Sequence, residues 1–213
     1  MTSQNSSKLP TLQRIAQVIS DIFSPIMLPA YMMAISMWMT PLVVIPEKIR
    51  FVAMGVIVVL TAILPTATII TLLKLGKVSD MSLSNRSERP LPYLVSVVCY
   101  IAAVIYLMTV KAPSWLFAFY IGATVTSVLA FLITLKWKIS AHASAIGGFT
   151  AAIIWLAFHN LILFGTVYWV CGSVLVCGLI GSSRLILERH TIGQVFAGYA
   201  LGALSVYGAL TII

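Results

Sequence analysis

The sequence predicts an all-α polytopic transmembrane bundle of six to seven spans, on three observations. Of 213 residues, 61% are hydrophobic and only 8% are charged, against roughly 25% charged in a soluble domain. Mean hydropathy is +1.06. The 13 Lys and Arg residues gather in short clusters between apolar runs, as in membrane loops and unlike a DNA-facing stripe. A soluble domain, a disordered chain and a nucleic-acid-binding module all fail on composition, because too much apolar surface would face water. The expected surroundings are a lipid bilayer, with no nucleic acid as partner, and a bacterial inner membrane is the expected location.

Residues 1–21 read as a polar N-terminal segment. Met1–Pro10 lacks the basic-then-apolar layout of a cleaved signal peptide, and Leu12–Asp21 suits a short interfacial helix. Residues 22–213 read as one transmembrane domain. A span needs about 20 mostly apolar residues, and seven runs are candidates: Ile22–Thr40, Phe51–Leu73, Tyr93–Val110, Trp115–Leu135, Ala143–Phe158, Leu161–Ile180 and Ile192–Ile213. Pro25 and Pro29 weaken the first. The fifth gives roughly 24 Å of helix, short of a hydrocarbon core of about 30 Å, which is tolerable where its start is the floor of a protein-lined cavity. Cys99, Cys171 and Cys177 sit inside apolar runs at no metal-ligand spacing and read as small residues in helix packing. Met27, Met32, Met33, Met37 and Met39 read as lipid- or core-facing bulk. Gly198-Tyr-Ala-Leu-Gly202 is a G-x-x-x-G packing face, placed to bring the last span close to its neighbours behind His190.

Seven spans put the N-terminus, Lys74–Pro92, Lys136–His142 and Gly181–Thr191 on one membrane face. That face holds Lys8, Arg14, Lys74, Lys77, Arg86, Arg89, Lys136, Lys138, Arg184 and Arg189; the other has Lys48, Arg50 and Lys111. The positive-inside rule makes the richer face cytoplasmic, although cations kept for ligand binding inflate its count.

Three of these same-face connections carry the unusual polar residues: Lys77–Pro90, Lys138–Ser144 and Ser182–Gln194. Together they place Arg, Ser and two His at the mouths of helices with few acids nearby. Arg grips a tetrahedral phosphate through several N–H donors. His can attack phosphorus or protonate a leaving oxygen at neutral pH. Arg clustered with His at a membrane surface points to phosphoester chemistry on a lipid. His159 falls on the opposite face and reads as interfacial. Asp80, Glu88 and Glu188 are expected to orient Arg side chains rather than act as acids.

The three segments resemble the signature of the type 2 phosphatidic acid phosphatase superfamily: K-x6-R-P, then P-S-G-H, then S-R-x5-H-x3-D. Ser183, Arg184 and His190 match the third in spacing; Ile139-Ser140-Ala141-His142 is a variant of the second; Arg89-Pro90 is what remains of the first. The resemblance covers residues 74–213. It implies His190 as the nucleophile that becomes a phosphohistidine, and His142 as the acid that protonates the leaving alcohol and then the base that activates water. It also implies Arg89 and Arg184 as clamps on the phosphoryl oxygens, neutralising transition-state charge, with Ser140 and the backbone N–H groups after it completing the cradle. No metal and no other cofactor is implied, and no metal-ligand set is visible.

Two departures stand out. Ser82 occupies the position of the family's Lys; either Arg86, three residues before Arg89 and on the same side of a helical turn, supplies that cation, or Arg86, Glu88 and Lys77 form a solvated loop. Lys138 is a second stand-in. Gln194 occupies the position of the family's Asp. It can accept the His190 N–H through its carbonyl but brings no charge, and its amide end could favour the wrong tautomer. Swapping such an Asp for an amide in a serine protease costs roughly 10⁴ in rate. Alternatively, Thr191-Ile-Gly-Gln194 is simply a T-x-x-Q capping box.

The expected protein is thus a metal-independent phosphatase acting on a phosphorylated lipid, phosphomonoester or pyrophosphate. Phosphatidic acid, phosphatidylglycerol phosphate, a prenyl pyrophosphate, a lipid A phosphate and a phosphoinositol lipid all fit. The alternatives are a weak or inactive lipid-phosphate-binding protein, supported by Ser82 and Gln194, and a phosphotransferase using the same His. A transporter would need ionisable residues at mid-span, and Phe51–Leu73 and Leu161–Ile180 carry none. Haloperoxidases share these motifs, but the hydrophobic setting argues against that chemistry.

Overall fold

The computed structural model describes residues 10–81, 83 and 85–213; Lys8 and Ser82 lie outside them. The described residues form helices and connections, with no strand among them. They form α1 (Thr11–Ile22), α2 (Leu28–Met39), α3 (Glu47–Val58), α4 (Leu64–Lys74), α5 (Pro90–Thr109), α6 (Ser114–Thr134), α7 (Ala141–Phe158), α8 (Thr166–Ile186) and α9 (Ile192–Ile212). A π-turn over Val59–Ile63 joins α3 to α4, so Glu47–Lys74 is one helix. Pro65 near the head of α4 explains the turn: its ring clashes with the carbonyl four residues back and it offers no N–H. Among the described residues six helices are long and apolar enough to cross a membrane. Large apolar side chains such as Val98, Ile105, Leu132, Leu175 and Leu204 stay exposed on their outer faces. This is an integral multi-pass membrane protein.

The run expected to be the first span, Ile22–Thr40, is not one helix. Pro25 has no N–H to continue α1 and disfavours helix at Ser24, so α1 stops at Ile22 and α2 restarts at Leu28 with Pro29 in its first turn. The 12 residues of α2 span roughly 18 Å, too little for a hydrocarbon core. The chain nonetheless passes from one end of the bundle to the other here. Ser20 contacts His142 at the start of α7, whereas the Met39 carbonyl accepts from Leu163, just beyond the end of α7. The parity of the connections therefore survives, and α1 and the end of α9 lie at opposite ends. The stretch Leu12–Asp21 is helical and falls within α1. The sixth expected span, Leu161–Ile180, is shifted: α8 starts after Gly165, which has φ +67°, and continues through Ser183 and Arg184 to Ile186.

The core centres on α6, α7 and α9, with Met32, Met33 and Met37 of α2 buried in it. Glycines set the closest approach. A Cβ on Gly198 would meet the Ser140 carbonyl at 2.8 Å, one on Gly147 the Tyr199 carbonyl at 2.6 Å, and one on Gly202 would overlap the Ser144 carbonyl. The G-x-x-x-G stripe thus lets α9 lie against α7 backbone to backbone. Of the cysteines, Cys99 is buried in packing, Cys177 is half-buried and Cys171 is exposed. At the far end His159 stacks on Trp155, ring centroids 3.7 Å apart.

Gly202→Ala is expected to cost about 1–3 kcal/mol through overpacking, because the atom in the way is backbone. Thermal unfolding in detergent checks this; an unchanged Tm would contradict the close packing.

Candidate functional site

The corner between α8 and α9 is built by short-range bonds. The Leu187 and Arg189 N–H groups close the end of α8 onto the Ser183 and Arg184 carbonyls, and Glu188 turns the chain with φ 53°. Thr191 then caps α9: its hydroxyl accepts from the Gln194 N–H at 3.4 Å, while Gln194 Oε1 accepts from the Thr191 N–H at 3.3 Å. The same Oε1 lies 3.0 Å from His190 Nδ1. A backbone N–H can only donate, so the atom facing it is the amide oxygen, and Nδ1 must carry the proton. Gln194 is therefore both a cap and the partner of His190, two readings that were alternatives in the sequence. Nε2 is left as the free nitrogen of His190, and the wrong-tautomer outcome is excluded by the Thr191 N–H.

The α6–α7 connection meets this corner through the backbone, Ser140 N–H donating to the Gln194 carbonyl at 3.4 Å. Ser140 is fully buried and caps α7, accepting from the Ala143 N–H at 3.3 Å. It holds the helix start and is not among the residues lining the cavity. His142, in the first turn of α7, places Nε2 3.1 Å from the Ser20 carbonyl of α1.

Arg89 enters from the α4–α5 connection, 6% exposed. Its Nε donates to the Leu83 carbonyl at 2.8 Å and its Nη1 to the Ile139 carbonyl at 3.1 Å. Arg184, in the last turn of α8, is 4% exposed. Its Nε has no hydrogen-bond partner among the described residues, nor does the buried Ser20 Oγ.

Arg89, Arg184, His142 and His190 line one cavity of about 340 Å³ with Ser20, Asp21, Ser24 and Tyr93. Of the sequence-predicted residues these four line the cavity, and Gln194 joins them through its bond to His190. Arg86 stands exposed on the turn Arg86–Glu88 and does not line the cavity. Glu88 accepts from the Ser79 N–H and hydroxyl and from Asn85, tying the connection to itself. Lys138, the second stand-in for the Lys, does not line the cavity either but lies within electrostatic reach of it. Burial lowers its pKa, and so do Arg89, Arg189 and Arg184, against Asp80; it belongs to the same cationic cluster.

Ser20, Asp21 and Tyr93 were not singled out in the sequence. Asp21 carried the available signal, an acid at the end of an amphipathic stretch just before an apolar run, where a carboxylate needs a polar cavity or the interface. Among the described residues no group of three or more His, Cys, Asp or Glu is arranged to hold a metal ion. What converges here is two buried guanidiniums and two imidazoles, with the Asp21 carboxylate in the same lining. In comparisons with known proteins the chain matches no family model, no curated protein and no solved structure.

Burial pushes His190 down to about 3, opposed by the Gln194 bond and reinforced by Arg89, Arg184 and Lys138. A depressed His pKa keeps the ring neutral above it, so His190 is neutral across the physiological range, with the Nε2 lone pair free. NMR of the ¹⁵N-histidine-labelled protein is expected to show the Nδ1–H tautomer of His190 with no titration between pH 5 and 8. A midpoint near the ordinary 6.5 would contradict this environment.

Proposed function

We propose that the chain is an integral-membrane phosphatase that hydrolyses a phosphorylated lipid, phosphomonoester or pyrophosphate, through a phosphohistidine at His190. The observation that carries the reading is the neutral His190, fixed at Nδ1 by Gln194, in one cavity with two buried guanidiniums, of which Arg184 keeps an unpartnered Nε. An imidazole held this way is a nucleophile, and buried Arg groups are what a phosphoryl dianion offsets. The three segments that resemble the type 2 phosphatidic acid phosphatase signature meet at this cavity, which adds support.

In the proposed cycle Nε2 of His190 forms the N–P bond while the P–O bond to the leaving oxygen breaks; His142, which takes up a proton from water once the phosphoryl dianion offsets the surrounding Arg charge, gives that oxygen its proton. Water then attacks phosphorus, passing a proton to His142, and the N–P bond breaks to return neutral His190. Arg89 and Arg184 bind the phosphoryl oxygens, with the Lys138 charge within electrostatic reach; Ser140 contributes by holding the start of α7. A lipid substrate is supported by the walls: Thr66 and Ile69 of α4 and Met27 border the cavity. A narrower apolar pocket, which shares Pro25, Ile26, Tyr93 and Ser96 with it, continues inward to Phe119, Phe149 and Val206. A bacterial inner membrane is the setting we propose with it.

The second reading is lipid-phosphate binding without turnover, favoured by one observation: the His190 partner is a neutral amide. Phosphate release from a panel of phosphorylated lipids in detergent with EDTA separates the two. Wild-type release is expected, falling about 10³-fold or more in His190→Ala. Gln194→Asp is expected to raise it, with about 10⁴-fold as the ceiling set by the serine-protease precedent. Binding with no release from any lipid would sink the phosphatase reading.

A further inference from the structure

We propose that helix α1 is part of this site: the main-chain carbonyl of Ser20 positions His142 so that Nδ1 is the nitrogen that exchanges a proton with the bound ligand. What that proton does rests on the phosphatase reading; the contact does not.

The carbonyl is available because of how α1 ends. The last carbonyls of a helix lack intrahelical partners, and here each finds another. Ile19 accepts from the Phe23 N–H, Asp21 from the Ser24 N–H, and Ile22 from the Tyr31 hydroxyl at 2.9 Å. Had the helix continued, Ser24 would have bonded to Ser20. Pro25 prevents that, and the Ser20 carbonyl is taken instead by His142 Nε2 at 3.1 Å. A carbonyl can only accept, so Nε2 carries the hydrogen and Nδ1 is the nitrogen left for a ligand in the cavity that His142 lines.

The arrangement also sets the electrostatics around the ring. The charged and titratable groups acting on His142 are Arg184, His190 and Arg89, and no carboxylate is among them. The C-terminal end of α1 presents its negative dipole to the ring, which offsets part of the repulsion from these cations. It stands to His142 as the Gln194 oxygen stands to His190.

Packing fixes where the carbonyl sits. Ala16 and Ser20 are buried, at 2% and 1% exposure, and Ile19 and Phe23 pack beside Ile180 and Cys177 of α8. The opposite face of α1 carries the exposed apolar stripe Leu12, Ile15, Val18 and Ile22, suited to lie in the bilayer interface. Ser20 is thus a positioning residue acting through its backbone, which no side-chain motif would reveal.

The test combines NMR with kinetics on the full chain. In ¹⁵N-histidine spectra His142 is expected as a fixed Nε2–H tautomer. An Nδ1–H tautomer or free exchange in the wild type would overturn the proposal, whether or not any lipid is hydrolysed. Ala16→Phe should lift α1 off α8 and release the His142 tautomer while the His190 signal stays in place. Turnover of an alkyl lipid phosphate, whose leaving oxygen needs a proton, should fall about tenfold or more. Turnover of p-nitrophenyl phosphate, whose leaving group does not, should stay within about threefold. A fixed His142 in Ala16→Phe with α1 shown displaced, or equal losses on both substrates with His190 undisturbed, would overturn it. Absence of hydrolysis in the wild type would count against the phosphatase reading alone, leaving the tautomer result to decide this one.

Discussion

The site depends on one oxygen. Gln194 Oε1 accepts from the Thr191 N–H, which fixes its direction, and receives His190 Nδ1, which fixes the ring. Without the first bond the amide could turn and offer its NH₂ to the imidazole, and the free nitrogen would carry the proton instead of the lone pair. A capping box, ordinarily a device for starting a helix, here sets the chemical state of a side chain one residue outside it. The stability of the α9 N-terminus and the tautomer of His190 are the same constraint.

The same economy runs through the rest of the cavity. His142 is held by the Ser20 carbonyl and Arg89 by the carbonyls of Leu83 and Ile139. Every one of these partners is a neutral oxygen. Carbonyls satisfy donors without cancelling charge; the carboxylates that act on these cations are Asp21, on Arg184, and Asp80, on Arg89 and Lys138. Assembly falls to the helices. The glycine stripe brings α9 against α7, where Ser140 N–H reaches the Gln194 carbonyl and locks the second segment to the third. The first segment is tied in by Arg89 reaching Ile139.

The long spans were legible because a continuous apolar run of 20 residues in a chain with so few charges has one outcome. The exceptions have local causes. Ile22–Thr40 has the composition of a span, but Pro25 interrupts its hydrogen bonding, and hydropathy does not register a missing N–H. Arg184 reads as the start of a loop because apolarity ends at Ile180, yet the backbone has no reason to leave the helix until Glu188. Within the site, His142, His190, Arg89 and Arg184 were legible from type and spacing. Arg86 stands exposed on a single 3-10 turn outside the cavity, while Arg89 at the end of that turn is buried, a difference that spacing alone does not register. Ser20 was invisible because what it contributes is a main-chain atom, and its neighbour in space is 122 residues away.

The central claim is that His190 Nε2 accepts a phosphoryl group. The direct measurement is a rapid quench of the protein with lipid labelled in its terminal phosphate. The account requires label on the wild-type chain that is lost in acid, survives in base as a phosphoramidate does, and is missing from His190→Ala. Label that survives acid, or labelling retained in His190→Ala, would contradict it.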